Sequence, residues 1–186
     1  RQAAVHALPC VCETGNERAI IAVTSCLDHA DWHVRKAAML ALRNVCERGD
    51  ELAIVAVTSR LEARDEGVRE AAVQALLCVC GKGDERTIIA LSSRLEHADP
   101  SVRETAVKAL SRLGKKGDER AIIAVASRIK DTDGCVRKAA IQALRSLCER
   151  GDERAIIALN SCLNDADRSV KNAAVQALAL LKMPAQ

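Results

Sequence analysis

The fold is decided by the stretch DWHVRKAAMLAL, residues 31–42. The same pattern returns as DEGVREAAVQAL at residues 65–76, DPSVRETAVKAL at 99–110, DGCVRKAAIQAL at 133–144 and DRSVKNAAVQAL at 167–178. Its central valines are Val34, Val68, Val102, Val136 and Val170, so each copy begins 34 residues after the previous one. An uninterrupted period of this length is typical of chains built from stacked structural repeats.

Each period contains the signals of a first helix. This helix follows a Gly-Asp-Glu run, in which the glycine is expected to end the preceding helix at positive φ and the aspartate to cap the next one. The glycines are Gly15, Gly49, Gly83, Gly117 and Gly151, and the capping residues are Asn16, Asp50, Asp84, Asp118 and Asp152. Ile54, Val57 and Leu61 have the i, i+3, i+7 spacing of one buried stripe.

A second helix completes each period and is predicted to begin at Asp31, Asp65, Asp99, Asp133 and Asp167. Pro100 supports this start, because proline favours the first turn of a helix. The inward face in the second repeat consists of Val68, Ala72, Leu76 and Val79. Alanine on this face lets neighbouring helices approach closely. A few polar residues join the two helices, which predicts an antiparallel helical hairpin.

The composition agrees with repetitive helix packing. Of the 186 residues, 49% are hydrophobic but only 1% are aromatic, and the net charge is +3, which gives no indication of nucleic-acid binding. We therefore predict an all-α protein, an α-solenoid of stacked antiparallel helical hairpins with about eleven helices. The predicted single array covers residues 1–186, with a half repeat at 1–14 and repeats at 15–48, 49–82, 83–116, 117–150 and 151–186.

The pattern D-x-x-V-R-x-A-A-V-x-A-L, followed by the Gly-Asp-Glu helix start, resembles HEAT repeats of the short phycobilisome-lyase (PBS lyase HEAT-like) type. Tetratricopeptide repeats share the period but require aromatic positions that this chain lacks. The resemblance implies a curved stack whose second helices line the concave side. The family includes chromophore lyases, deoxyhypusine hydroxylase and adaptor proteins. The hydroxylase holds iron through His-Glu pairs, and this sequence has no His-Glu dipeptide.

A basic residue recurs four positions after each capping aspartate of the second helix. These residues are Arg35, Arg69, Arg103, Arg137 and Lys171. They could form a ladder for phosphate, but each comes with its own anion, which favours a structural Asp–Arg network. The sequence leaves open whether each arginine pairs within its repeat or with the neighbouring repeat.

The cysteines are predicted to be packing residues. Cys12, Cys46, Cys80 and Cys148 share one column, and neighbouring repeats lie about 10 Å apart, too far for a disulfide. We therefore expect free thiols and a reducing intracellular compartment, such as the cytosol or an organelle stroma. Cys26, His29 and His33 are the best metal candidate, but they recur together in no other repeat and a fourth ligand is missing. We predict neither a metal nor a cofactor.

Other columns change from repeat to repeat, and they lie on one stripe of the second helix. We predict that this variable face binds a protein partner. Its candidate residues are Trp32, His33, Lys36, Leu40, Arg43, Glu66, Glu70, Gln74, Leu77, Glu104, Lys108, Lys138, Gln142 and Arg145. The recurrent serines, such as Ser25 and Ser59, are expected to bond back along their own helices rather than to act as nucleophiles.

The sequence thus predicts a non-catalytic protein-interaction scaffold or a subunit of a larger assembly, working through the variable face or through open ends. The alternative, implied by the family resemblance, is a chromophore (bilin) lyase or a pigment-protein assembly factor. The partner is expected to be protein, with no nucleic acid and no membrane insertion. The chain is expected to be part of a longer chain or a larger complex.

Overall fold

A computed structural model describes residues 14–182. In this range the chain forms ten α-helices and no strand. They are α1 (Glu17–Ser25), α2 (Trp32–Val45), α3 (Glu51–Ser59), α4 (Glu66–Val79), α5 (Glu85–Ser93), α6 (Pro100–Leu113), α7 (Glu119–Ala126), α8 (Gly134–Leu147), α9 (Glu153–Ser161) and α10 (Arg168–Leu181). The all-α repeat fold is therefore confirmed. The predicted half repeat at 1–14 lies almost wholly outside the described residues.

The chain forms two compact units, whose boundary falls between Ala90 and Leu91, inside α5. In the N-terminal unit α2 packs against α4, and α1 packs against α3. In the C-terminal unit α8 packs against both α6 and α10. Each of α1, α3, α7 and α9 also packs against the helix that follows it, which is the predicted hairpin. A single continuous array stays a prediction.

The predicted caps are present at both kinds of helix. Asp65 accepts a hydrogen bond from the Val68 N–H at 2.9 Å, and the aspartates that precede α2, α6, α8 and α10 accept equivalent bonds at the start of their helices. Asp50 caps α3 through the Ala53 N–H at 2.9 Å, with counterparts at the starts of α1, α5, α7 and α9. These bonds satisfy amide groups that a helix start leaves without partners.

The repeat glycines occupy a different position from the predicted one. Helix α2 ends at Val45, and Gly49 lies beyond the helix end, in the following turn at φ +81°. The positive φ was predicted correctly, but the assignment as the helix-ending residue was wrong. The Gly49 N–H donates instead to the carbonyl of Val79, the last residue of α4, at 2.9 Å. The turn that begins the repeat 49–82 is thereby bonded to the end of the second helix of the same repeat.

The same backbone bond recurs elsewhere in both units. The Gly15 N–H donates to the Val45 carbonyl at 2.8 Å in the N-terminal unit. In the C-terminal unit the Gly117 N–H donates to Leu147 at 2.6 Å and the Gly151 N–H to Leu181 at 2.8 Å. Each bond links positions thirty residues apart, so a constant repeat length is needed to form all of them.

The core consists of the predicted aliphatic residues and alanines. Leu42, Leu76, Leu110 and Leu144 have no exposed surface, and neither do Ala38, Ala72, Ala106 and Ala140. The predicted stripe of Ile54, Val57 and Leu61 is buried as well. Small side chains between the second helices allow the close packing that the composition indicated. Among residues 14–182, no helix combines the length and the apolar character needed to span a bilayer.

The turn glycines can be tested by Gly151→Ala. Gly151 has φ +80°, and a Cβ added there would meet nothing within 4 Å, so only the backbone conformation resists the change. We expect the free energy of unfolding, measured by urea denaturation, to fall by about 1–2 kcal/mol. Gly81→Ala is the control, because Gly81 lacks a positive φ and an added Cβ would meet only the end of the flexible Arg48 side chain, at 3.1 Å. Equal effects of the two substitutions would contradict the assigned role of the turn glycine.

Candidate protein-binding face

In the N-terminal unit the structure places nine of the predicted site residues on two packed helices. Trp32, His33, Lys36, Leu40 and Arg43 lie on α2, and Glu66, Glu70, Gln74 and Leu77 lie on α4. None of them is buried. The exposed fractions of Trp32 and Leu40 are 45% and 50%, which is high for large apolar side chains. These residues form the N-terminal variable face.

A cleft brings residues of the two helices together. It has a volume of about 390 Å³, and its lining includes Arg43 from α2, Leu77 and Cys78 from α4, and Arg48 from the turn after α2. The cleft therefore joins two cationic side chains to an apolar one at the C-terminal ends of α2 and α4. Closer to the N-terminus of α4, the Gln74 side chain donates to the Glu70 carboxylate at 2.8 Å.

The C-terminal unit carries the other five predicted residues. Glu104 and Lys108 lie on α6 and form an ion pair at 2.8 Å, while Lys138, Gln142 and Arg145 are exposed on α8. Helices α6 and α8 pack against each other, so these five side chains also occupy neighbouring helices. They form the C-terminal variable face, which is more strongly charged than its N-terminal counterpart.

The recurrent arginines are structural. Arg35 Nη1 donates to the carbonyls of His29 and Ala30, which lie in the turn of its own hairpin. Arg69, Arg103 and Arg137 make the same pair of bonds at 2.8–3.1 Å. Each guanidinium thus fixes the turn that places its helix, and a phosphate ladder is not needed to explain the column.

Two of these arginines also reach the next repeat. Arg103 binds both carboxylate oxygens of Asp131, and Arg137 binds both of Asp165, at 2.7–2.9 Å. The partner is thus a neighbouring-repeat aspartate, two residues before the capping one. The hydrogen bond from Arg137 holds the pKa of Asp165 below its usual range. Burial acts to raise the pKa of Asp131, but hydrogen bonds and positive charges from its arginine neighbours lower it overall.

Arg35 lacks this second contact, because Ala63 stands in the column of Asp131 and Asp165. Its Nε is buried without a hydrogen-bond partner. The guanidinium occupies the space beside Gly67, where a Cβ would lie 2.7 Å from Arg35 Nη2. It also lies 5.8 Å from the Trp32 ring. Gly67 is therefore a packing residue within a variable column.

One histidine of the metal candidate, His29, has a structural role that His97 shares. His29 Nδ1 accepts the Asp31 N–H at 3.0 Å, and His97 Nδ1 accepts the Asp99 N–H at the same distance. Among the described residues, no group of three His, Cys, Asp or Glu side chains could hold a metal ion. A histidine in this column fixes the turn before the second helix, as the Asp131 and Asp165 carboxylates do in their repeats.

The thiols and hydroxyls are bound into the framework. Within residues 14–182 the cysteines are free, as predicted. Burial raises the pKa of Cys46 and of Cys148 to about 12, with a further contribution from the charges of Asp50 and Asp152. The Ser25 and Ser59 hydroxyls donate to carbonyls three residues earlier at 2.8 Å. Cys10 and Cys12 lie outside the described residues.

A second exposed feature was missed from the sequence. Each first helix carries two adjacent aliphatic residues, of which the first is buried in α1, α3 and α5 and half-buried in α7 and α9. The second is exposed, and this exposed column consists of Ile21, Val55, Ile89, Ile123 and Ile157. The exposed fractions range from 56% to 70%. The signal was the recurrent aliphatic doublet, as in Ile122 and Ile123. Adjacent residues on a helix lie about 100° apart, so both cannot face the same core.

Comparisons with known proteins agree with this architecture. The family model described as HEAT repeats matches residues 1–77 and 77–145, more than half of the chain. The chain belongs to the HEAT repeat family. A model described as a HEAT repeat associated with sister chromatid cohesion matches residues 158–178 of this HEAT protein. No curated protein sequence matches it.

Several solved structures are similar to this chain in fold. The complex of CpcE and CpcF of phycocyanin lyase from Nostoc sp. has a TM-score of 0.63 at 20% identity, covering 86% of this chain and 98% of that chain. A structure titled for tubulin recruitment by microtubule polymerases with TOG domain arrays has a TM-score of 0.63 at 18% sequence identity. The match covers 96% of this chain and 42% of that chain. A designed armadillo repeat protein in complex with the peptide (KR)4 has a TM-score of 0.53 at 20% sequence identity. The match covers 97% of this chain and 91% of that chain. The predicted resemblance to short HEAT repeats is therefore confirmed at the level of the fold.

The missing contact of Arg35 gives a test of the HEAT framework. Ala63→Asp supplies a carboxylate for Arg35 and an acceptor for the Asp65 N–H. The backbone suits the change, because the φ and ψ of Ala63, −64° and 142°, resemble those of Asp165, −56° and 149°. We expect the free energy of unfolding at neutral pH to rise by about 1–3 kcal/mol. Ala63→His is the control, because it supplies the acceptor without the carboxylate. A gain no larger than that of Ala63→His would contradict the assigned pairing.

Proposed function

We propose that this HEAT protein is a non-catalytic scaffold, or a subunit of a larger assembly, that binds a protein partner through the variable faces of its second helices. One observation supports this most directly. The recurrent columns of the second helices are used internally, in the core, the caps and the arginine-bound turns. The candidate columns beside them remain exposed or half-exposed. The fold therefore holds its framework constant while the adjoining surface differs in each repeat.

The N-terminal variable face is the stronger candidate for the partner contact. It combines an exposed tryptophan, an exposed leucine and the cleft bordered by Arg43 and Leu77. Tryptophan and arginine are the side chains that most often dominate binding energy at interfaces. The cleft adds two arginines beside an apolar side chain, so it can bind polar as well as apolar groups of a partner. The similar structures support the same class of function, since their titles name a peptide, tubulin and a two-protein complex.

The absence of catalysis is also part of the proposal. Buried thiols with raised pKa values are poor nucleophiles, and the two serine hydroxyls described above are engaged with their own helices. The alternative, a chromophore lyase or pigment-protein assembly factor, is supported by the fold similarity to the CpcE–CpcF complex. Covalent attachment of added bilin to an acceptor subunit, absent without this protein, would establish the alternative.

The proposed face can be tested by panning a random peptide display library on the full chain. For the peptides recovered, we expect Trp32→Ala combined with Leu40→Ala to weaken binding about tenfold or more, because two apolar anchors are truncated. Ile89→Ala is the matched control, since it truncates an exposed aliphatic residue of a first helix. Dissociation constants are measured by fluorescence anisotropy, with circular dichroism to show that each variant is folded.

Two results would contradict the proposal that the N-terminal variable face binds the partner. One is equal affinity of the double variant and the parent for every recovered peptide. The other is a loss of affinity only when the last helix is changed, for example by Val175→Asn. Val175 is 56% exposed, whereas its counterparts Val107 and Ile141 are fully buried, so this second result would indicate binding at the exposed face of α10.

A further inference from the structure

A groove separates two first helices of the C-terminal unit, away from the variable faces. It lies between α7 and α9 and has a volume of about 580 Å³. Its apolar lining consists of Ile122, Ile123, Ala126, Leu144, Ala155 and Ala158. In the N-terminal unit the corresponding helices α1 and α3 pack against each other. The groove is therefore a local feature of the C-terminal unit.

A small residue at one column accounts for the open space. Ala126 takes the place of Thr24 and Thr58, which are buried in the N-terminal unit. The Thr58 hydroxyl donates to the Ile54 carbonyl at 2.7 Å, so it fills its site and satisfies its own polar group. Helix α7 also ends at Ala126, whereas α3 continues for one further position to Ser59. The shorter helix and the smaller side chain leave the groove unfilled.

The groove is apolar in its centre and acidic at its edge. Ile123 is 60% exposed beside it, and the Ile157 side chain on α9 is 70% exposed. Four carboxylates contribute to the lining, from Glu119, Glu149, Asp152 and Glu153, against one guanidinium from Arg154. Arg154 binds Glu119 at 2.9 Å through highly exposed side chains, so this pair neutralises only one of the carboxylates. Lys116 approaches Glu149 at 3.4 Å, again at the surface.

We propose that this groove binds an amphipathic helix that has aliphatic side chains on one face and lysine or arginine along its flanks. The apolar lining accepts the aliphatic residues, as in other complexes in which a helix occupies a groove. The excess of carboxylates favours a basic partner over an acidic one. This site includes none of the predicted variable-face residues, so it stands independently of the proposed function.

The test uses a fluorescein-labelled Leu/Lys amphipathic helical peptide and the full chain, with fluorescence anisotropy at physiological salt. Ile123→Asn is expected to weaken binding about tenfold or more, because it removes the exposed apolar side chain at the groove. Ala126→Thr is expected to weaken binding as well, because it restores the residue that fills this column in α1 and α3. Ile21→Asn is the matched control, since Ile21 is the same column on α1 and is 56% exposed. The Ile21→Asn variant should bind the peptide with unchanged affinity.

Three results would overturn the proposal. The first is equal weakening by Ile21→Asn and Ile123→Asn, which would show general adhesion to exposed aliphatic residues. The second is equal affinity for a Leu/Glu peptide of the same pattern, which would remove the role of the acidic edge. The third is a dimer in sedimentation velocity that Ile123→Asn dissociates, since the occupant would then be a second copy of this chain. Thermal melts by circular dichroism show whether Ile123→Asn and Ala126→Thr remain folded.

Discussion

A backbone hydrogen bond, from the glycine in the turn that begins a repeat to the last residue of that repeat's second helix, fixes the position of the second helix relative to that turn. The glycine has positive φ, and in the four bonds described above the acceptor is the last residue of the second helix that follows it. A bond of this kind contributes only about 1 kcal/mol by itself. Its larger effect is geometric, because a repeat that gained or lost a residue would move the carbonyl away from the amide. The constant period of the sequence follows from this requirement.

The arginine column adds a second constraint of the same kind. Each of the four arginines binds two carbonyls in its own turn, and two of them extend to a carboxylate of the next repeat. With the core residues and caps, these contacts occupy the recurrent positions. Changes elsewhere are tolerated, and some have local causes, as Gly67 makes room for Arg35. Others border surface features, as Ala126 lines the groove between α7 and α9. Some residues that differ between the repeats of this HEAT protein therefore serve local packing, and others are available for recognition.

Much of the fold could be predicted from the sequence, because its signals are local. The period, the paired helices, the capping aspartates and the buried aliphatic stripe each depend on spacings within one repeat. The position of the glycine was misjudged because α2 ends at Val45 and Cys46 adopts an extended conformation, which the sequence does not signal. The partner of Arg103 lies 28 residues away, so only the packing of α6 and α8 could identify it. The variable faces stay a prediction, since exposure shows that they are accessible and not what they bind.

The central claim is that the turn glycines bond to the end of the second helix of their own repeat, and amide hydrogen exchange measured by NMR tests it most directly. The Gly49, Gly117 and Gly151 amides lie in turns, where an unbonded N–H exchanges rapidly. The account predicts that they exchange slowly, at rates close to those of the helices whose carbonyls they meet. The exposed turn residue Arg48 provides the internal comparison. Rapid exchange of the three glycine amides, at the rate of Arg48, would contradict the account.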